Sequence, residues 1–269
     1  MTSERPYPKR FSLRHSPRRD RGVSPIISTI ILTSALLVIL VVASYVSTNI
    51  LIMQMDDSEF EQAKTNMSLL DNVIQDVALR PGAGGYVQFN ERAGGIGINQ
   101  STNSIKVADN QGKTLGSWSS LLTLVYHAGS QVSGAATNIT GTSQPSVSMS
   151  DPLGFLRVEV GQGVWVKLDY NRVRTVSMGA LIVNNSANNS AYNFYDITMI
   201  SLTKGDITAT SGTVNARVQS LPINTTSYTY ASGVTVTAKL NNGQPQNLIR
   251  SSGQTVVMIT TIPVRVSIG

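Results

Sequence analysis

An uncharged run near the N-terminus constrains this chain more than any other feature of its sequence. From Val23 to Met55 there are 33 residues without Asp, Glu, Lys or Arg, and about 20 apolar residues suffice for a helix that crosses a bilayer. A secretory signal peptide has an apolar core of about 7–15 residues followed by a small-residue cleavage site, and no such site ends this run. The run therefore predicts a retained membrane-spanning helix.

The charges on the two sides of the run predict its orientation. The first 22 residues carry seven basic and two acidic side chains, whereas Asp56, Asp57, Glu59 and Glu61 follow the run. Because Lys and Arg favour the cytoplasmic side, we expect the leader inside the cell and the rest of the chain outside. The leader also holds +5 of the formal net charge of +6, so the basic balance does not indicate a nucleic-acid partner.

The remaining composition is poor in charge. Charged residues make up 13% of the chain, about half the usual share, and residues 114–150 contain none. Ser, Thr, Asn and Gly replace them, which suits a surface covered by subunits or glycans and equally suits a flexible loop. The absence of cysteine excludes disulfides and cysteine-based metal sites.

Small residues indicate where the helix begins and where other helices can pack against it. Ser24 suits the N-cap and Pro25 the first helical position, where its missing N–H costs nothing. In lipid, small residues four apart allow helices to approach closely; the pairs here are Ser24 with Ser28, Ala43 with Ser47, and Ser44 with Thr48. A plain signal anchor also fits these residues.

The helical pattern continues beyond the membrane segment. Apolar residues recur every three or four positions, which is typical of an amphipathic helix, and Arg80-Pro81-Gly82 ends the run. A helix over residues 24–79 would be on the order of 80 Å long. If its outer apolar seam packs between subunits, replacing Met67 and Ile74 with Asp should abolish polymers. The seam consists of Phe60, Ala63, Met67, Leu70, Ile74 and Val77.

The leader ends in Arg18, Arg19, Asp20, Arg21 and Gly22, and Val-Ser-Pro-Ile-Ile follows at 23–27. This junction resembles the class III signal peptide of archaeal type IV pilin-like proteins. The resemblance implies that a membrane-embedded prepilin peptidase cuts between Gly22 and Val23. It further implies that the mature chain assembles with like subunits or other pilins through its N-terminal helix.

One residue sets the chain apart from bacterial type IV pilins. Those proteins have a glutamate five residues into the mature chain, whereas this chain has Ile27, which fits an archaeal member better. The resemblance covers about 60 residues and does not extend to the region after Pro81. That region is larger than in many major archaeal pilins, so a minor or specialised pilin remains open.

Residues 81–269 alternate with a period of two and predict a β-rich head. The clearest unit is a hairpin of 156–160 and 164–168 around Gly161-Gln162-Gly163. Asn241-Asn242-Gly243 predicts a turn between the last two strands, and 129–150 predicts a long loop. The other expected strands are Tyr86–Phe89, Leu121–Tyr126, Ala180–Val183, Asp196–Leu202, Val214–Gln219, Tyr228–Lys239 and Thr255–Ile268. The fold class is thus α+β, with a basic leader (1–22), a long helix (23–80) and a sandwich-like head (81–269).

Residues that could be modified or could catalyse a reaction are sparse. Asn-x-Ser/Thr sequons are acceptors for glycosylation, and they begin at Asn66, Asn99, Asn138, Asn184, Asn188 and Asn224. His127 is the only histidine after the leader and suits a structural position better than a general base. Asp169 with Asn171, and Asp109 with Asn110, offer oxygen ligands for calcium, although turns account for them better. No catalytic residue, metal site or cofactor is predicted.

Three classes of function follow in order of support. The first is a structural, pilin-like subunit of a cell-surface filament with a role in adhesion. The second is a membrane-anchored minor pilin, assembly-accessory or solute-binding protein that does not polymerise. The third is an extracellular enzyme, which the missing catalytic constellation disfavours. Trp165, on the outward face of its hairpin, suits packing better than adhesion.

Overall fold

A computed structural model of the chain describes residues 25–185, 188–208 and 212–269, without side chains for 183–190. Its elements are one helix, α1 (Pro25–Ala78), and sixteen strands, which confirms the α+β class. The strands are β1 (Gly84–Glu91), β2 (Gly95–Gln100), β3 (Ser104–Asp109), β4 (Thr114–Ser119), β5 (Leu122–His127), β6 (Thr137–Thr140), β7 (Ser146–Val147), β8 (Phe155–Gly161), β9 (Gly163–Asp169), β10 (Val173–Asn185), β11 (Asn188–Ile207), β12 (Gly212–Ser220), β13 (Asn224–Tyr230), β14 (Val234–Leu240), β15 (Gln246–Ser251) and β16 (Thr255–Ile268).

The chain divides into two compact units, residues 1–50 and 51–269. The described part of the first unit is the beginning of α1, and the second unit holds the rest of α1 and every strand. The helix ends at Ala78, close to the end expected from the sequence, and its first described residue is Pro25. Proline at the last expected boundary explains the end of the helix, since it disfavours helix at the residue before it, and Gly82 then turns with a φ of +79°.

The strands form three sheets. Sheet A has seven strands in the order β1-β12-β16-β11-β10-β7, with β13 also paired to β16. Sheet B has the order β2-β5-β9-β8-β6, and sheet C the order β15-β14-β3-β4. Strands β11 and β16 pair in parallel over most of their length, and they are the two central strands of sheet A.

The outer seam of α1 lies in the larger hydrophobic core of the second unit. Met67, Leu70 and Ile74 are fully buried and pack with apolar residues of sheets A and B, such as Phe89 and Leu168. The outer part of α1 is therefore an integral part of this core, together with sheets A and B. Replacing Met67 and Ile74 with Asp consequently tests the folding of this chain rather than contact between subunits.

A second core lies between sheets A and C. Ile105 and Val236 of sheet C pack with Ile197, Met199 and other residues at the opposite end of sheet A. The two cores share strands β11 and β16, whose apolar residues contribute to both. This shared sheet joins the two halves of the head.

Several strand predictions are confirmed. The hairpin of β8 and β9 has its turn at Gln162, and Gly163 adopts a φ of +97°. One strand prediction is wrong in detail. The segment 228–239 is two strands rather than one, because the chain leaves sheet A and enters sheet C between them. There the backbone of Gly233 lies too close to Ser251 for any Cβ atom.

The last turn and the long loop also differ from expectation. The turn at Asn241 joins β14 to β15, a strand that was not predicted, so one more strand separates it from β16. The segment 129–150 contains the short strands β6 and β7. Strands β2, β3 and β4 were missed because Gly, Ser, Thr and Asn weaken their alternation.

Candidate functional site

The first half of α1 presents an exposed surface that is uncharged and mostly apolar. In residues 25–50 every side chain is exposed within the first unit, including Ile26, Leu40 and Tyr45 at 67–71%. The described part of the chain has one helix long and apolar enough to cross a membrane, and this is its apolar segment. Such a surface needs lipid or other helices to cover it.

The three threonine hydroxyls of this segment are bonded within the helix. The hydroxyl of Thr29 donates to the carbonyl oxygen of Ile26 at 2.8 Å, and that of Thr48 donates to Ser44 at 2.9 Å. Thr33 likewise donates to Thr29 at 2.9 Å. Because these hydroxyls have partners on their own helix, they can enter an apolar environment without leaving a donor unpaired.

The predicted small-residue pairs have different positions in the structure. Ala43 and Ser47 lie together in a shallow apolar groove along the helix, lined also by Val38, Val42 and Val46. Ser28 is exposed on the same helix. Ser24, the junction Gly22–Val23 and the basic residues Arg18, Arg19 and Arg21 lie outside the described residues.

A hydrogen-bonded lock joins α1 to the loop after β1, within the second unit. The carboxylate of Glu59 accepts from the backbone N–H groups of Arg92, Ala93 and Gly94 at 3.1–3.3 Å. It also accepts from the hydroxyl of Tyr126 at 2.8 Å. One turn earlier Asp56 pairs with the Arg92 guanidinium at 2.7 Å. The lock fixes the helix to sheet B just after the apolar run ends.

The lock also sets the ionisation of its members. Burial alone would raise the pKa of Glu59, but the N–H groups of Gly94, Ala93 and Arg92 and the Tyr126 hydroxyl together hold it below its ordinary value. Burial, followed by the hydrogen bond to Glu59, raises the pKa of Tyr126. Glu59 is therefore ionised and Tyr126 neutral at physiological pH.

We expect Glu59→Gln to destabilise the head by about 1–2 kcal/mol near neutral pH, since hydrogen bonds to a charged acceptor exceed neutral ones by roughly that amount. A depressed folded-state pKa gives stability above the unfolded pKa that is lost as pH falls through the folded value. The difference between wild type and variant should therefore shrink under acid conditions.

Chemical unfolding of the full chain in detergent, followed at several pH values, checks this prediction. The matched control is Glu61→Gln, two residues away, whose carboxylate is 68% exposed and pairs only with Lys64. An exposed pair of this kind contributes little. Equal losses from both variants would contradict the assignment of the lock to Glu59.

A second polar contact between helix and head is fully buried. Asp71 is 3% exposed, although it lies beside the apolar seam rather than on it. Its carboxylate accepts from the Tyr170 hydroxyl at 2.5 Å and from the Gln75 side chain at 3.0 Å. Burial raises the pKa of Asp71 despite these two bonds. Asp71 thus positions the helix against β9 at a cost in desolvation.

The two aspartates that were candidate calcium ligands, Asp169 and Asp109, bind other groups of the chain instead. Asp169 is buried, and its two oxygens accept from the guanidinium groups of Arg157 at 2.5 Å and Arg172 at 3.2 Å. Asp109 accepts from two N–H groups of the β3–β4 turn and from the Tyr230 hydroxyl. Among the described residues, no group of three His, Cys, Asp or Glu side chains is placed to hold a metal ion.

His127 and Trp165 lie together on the face of sheet B. Their ring centroids are 4.3 Å apart, because the two residues are direct cross-strand partners on β5 and β9. His127 also lies against Gly163. These contacts give the imidazole a packing role, and within the described residues no nucleophile or acid stands beside it.

The hairpin of β10 and β11 is a second exposed apolar surface. From Gly179 to Asn185, β10 pairs with β11 alone among the described strands, and residues 179–182 are exposed on both faces of this β-arm. Met178, Leu181 and Ile182 are 57–64% exposed. A two-stranded ribbon is marginal in water by itself, and its apolar side chains indicate a contact with another molecule.

The sequons fall into three groups. Asn99, Asn138 and Asn224 are exposed on strands. Asn66 lies within α1, where its side-chain amide donates to the carbonyl oxygen of Gln88 at 2.9 Å and so covers the edge of β1. Asn184 and Asn188 end the β-arm, where the side chains are not described.

The chain has no match among protein-family models, curated proteins or solved structures. The likeness to pilin-like proteins therefore depends on about 60 residues at the N-terminus, among which the leader junction is the most specific part. The lock, the buried Asp71 and the β-arm were not predicted from the sequence. The local signal of the lock was the group of acids directly after the apolar run, but the partners of these acids come from distant parts of the chain.

Proposed function

We propose that this chain is a pilin-like structural subunit of an archaeal cell-surface filament. In this proposal a prepilin peptidase cuts the precursor between Gly22 and Val23. Before processing, the chain spans the membrane once with its N-terminus in the cytoplasm. The mature helix then leaves the bilayer and packs with the helices of like subunits or other pilins, and the head forms the outer wall.

One observation supports this proposal above the others. The outer part of α1 is built into the head, whereas residues 25–50 of the same helix are uncharged, mostly apolar and exposed. A simple anchor does not need a helix that continues into the core of the exported domain. A subunit that assembles through its helix uses such a continuation, because the helix that contacts its neighbours then also enters the core of its head.

The exposed β-arm supports contact between heads. Its apolar residues Leu181 and Ile182 are suited to burial between neighbouring subunits. The exposed sequons at Asn99, Asn138 and Asn224 suit glycosylation of an outer surface that carries few charges. A role in adhesion or surface attachment accords with such a surface.

Assembly can be tested with a substitution that leaves membrane insertion intact. Ala43→Leu makes the helix more apolar but fills the groove beside Ser47, so close approach of a second helix is blocked. We expect filament yield to fall by roughly tenfold or more, the equivalent of about 1.4 kcal/mol per contact. Electron microscopy and sedimentation of sheared filaments measure the yield, and membrane fractionation confirms insertion.

The control for this experiment is Ser34→Leu. Ser34 is nine residues away and, at 3.6 residues per turn, lies on the opposite side of the helix. An equal loss from both variants would show that added bulk anywhere in the segment blocks assembly. Normal filaments with Ala43→Leu, or none from wild type, would favour the anchored protein that does not polymerise.

A further inference from the structure

Two arginines share the outer face of sheet A, on the side away from the larger core. Arg217 lies between the buried residues Ala216 and Val218, and Arg265 lies between Val264 and Val266, so both side chains point outward. In the pairing of β12 with β16, Arg265 stands opposite Gln219, two residues from Arg217. Such diagonal positions place Cβ atoms about 7–8 Å apart.

Neither guanidinium has an acidic partner among the described residues. Both side chains are exposed, and the ion pairs found there involve other arginines. Arg217 and Arg265 line one depression of about 420 Å³ with Gln219 and Ser267, a size within the range of small-ligand sites. Asp206 also lines this depression. With two arginines and one aspartate, the charged side chains of the depression have a net positive charge.

An exposed aromatic ring lies next to the arginines. Tyr86 on β1 is the direct cross-strand partner of Arg217 and is 68% exposed. Its neighbours Val87 and Phe89 face the core, which leaves the tyrosine on the outer face. Gln88, also exposed, continues this face toward Asn215.

We propose that this face binds a carboxylate-bearing saccharide. A guanidinium forms two parallel hydrogen bonds to a carboxylate, and two such groups on adjacent strands suit an acidic sugar chain. The amides of Gln88 and Gln219 and the hydroxyl of Ser267 suit sugar hydroxyls, since each can donate or accept as the ligand requires. The flat Tyr86 ring suits the apolar face of a sugar ring.

The composition of the face favours a saccharide over other anions. A protein partner would be expected to bury several large apolar side chains at the centre of its contact. Of the exposed side chains described above on this face, only Tyr86 has a large apolar surface, and the others are charged or polar. A nucleic acid would be expected to meet a longer basic stripe. The proposal does not depend on polymerisation, because a single head carries the whole site.

Titration calorimetry of the full chain with trigalacturonic acid tests the proposal, in a detergent without sugar groups. We expect saturable binding, and a loss of about 10–100-fold in affinity for Arg217→Gln and for Arg265→Gln, the equivalent of about 1.4–2.8 kcal/mol. Tyr86→Ala should also weaken binding. The matched control is Arg250→Gln on the exposed face of β15, which changes the net charge equally and should leave affinity unchanged.

Four results would overturn the proposal. They are the absence of saturable binding, an equal loss with Arg250→Gln, no effect of Tyr86→Ala, and equally tight binding of inorganic phosphate or a triglutamate peptide. The last result would identify a general anion site without selectivity for sugar rings. Unchanged thermal unfolding of the variants keeps the comparison free of folding effects, as expected for exposed side chains.

Discussion

Leu70→Asp should prevent the head from folding, whereas Leu69→Asp should leave it nearly unchanged. The two leucines are neighbours on α1, but Leu70 is fully buried and Leu69 is 50% exposed. At position 70 the variant loses roughly 1.5–3 kcal/mol of apolar burial and places an unpaired carboxylate in the core at a cost of several kcal/mol more. The sum is comparable to the entire stability of a typical domain, about 5–15 kcal/mol.

The measurement is resistance to proteolysis together with chemical unfolding of the full chain. Leu70→Ala provides a milder variant that should fold and lose about 3–5 kcal/mol, as truncations of buried leucines do. Leu69→Asp should change the free energy of unfolding by no more than about 1 kcal/mol, most of it from helix propensity. Similar behaviour of the variants at 69 and 70 would contradict the burial of the helix seam in the head.

Gly22→Val should leave the chain as an uncut precursor in the membrane and abolish filaments. In the proposed processing, a peptidase must reach the peptide bond after residue 22, and a glycine offers an open backbone there. A β-branched side chain restricts the backbone and covers the bond. N-terminal analysis of the membrane fraction should then find the leader attached, and no subunit should sediment with sheared filaments.

The control for processing is Gly161→Val, at the tip of the β8–β9 hairpin. A Cβ atom there meets nothing within 4 Å, so the same substitution in the head should leave both cleavage and assembly normal. Efficient cleavage of Gly22→Val would contradict the assigned junction. Normal filaments from an uncut precursor would contradict the role of processing in assembly.

Local patterns in the sequence predicted the helix and the central hairpin well. The helix follows a single uninterrupted pattern, and its end at Ala78 depends on the nearby Pro81. The β8–β9 hairpin combines strict alternation with a glycine turn. Each of these elements carries its own signal, so no knowledge of distant contacts was needed.

Elements fixed by distant contacts could not be predicted in the same way. Strand β14 ends near the expected position, but its partner β3 precedes it by about 130 residues, so the change of sheet before it has no local signal. Asp71 lies beside an apolar seam and is expected to face solvent. Its burial depends on Tyr170, 99 residues away, and such pairings are specified by the closed core rather than by spacing.

The candidate assembly surface was predicted only in part. The apolar segment and the Ala43–Ser47 pair follow directly from composition and helical spacing. The β-arm does not, because Leu181 and Ile182 belong to a short apolar run, which is also typical of a buried strand. Only the structure shows that both side chains are exposed and that, among the described strands, β10 pairs with β11 alone beyond Gly179.

N-terminal sequencing of the protein in sheared, sedimented surface filaments tests the central claim most directly. The account predicts that the chain is present there and begins at Val23, because processing at Gly22 and assembly through the helix are parts of one pathway. A chain that begins at Met1, or one found only in the membrane and never with filaments, would contradict the account.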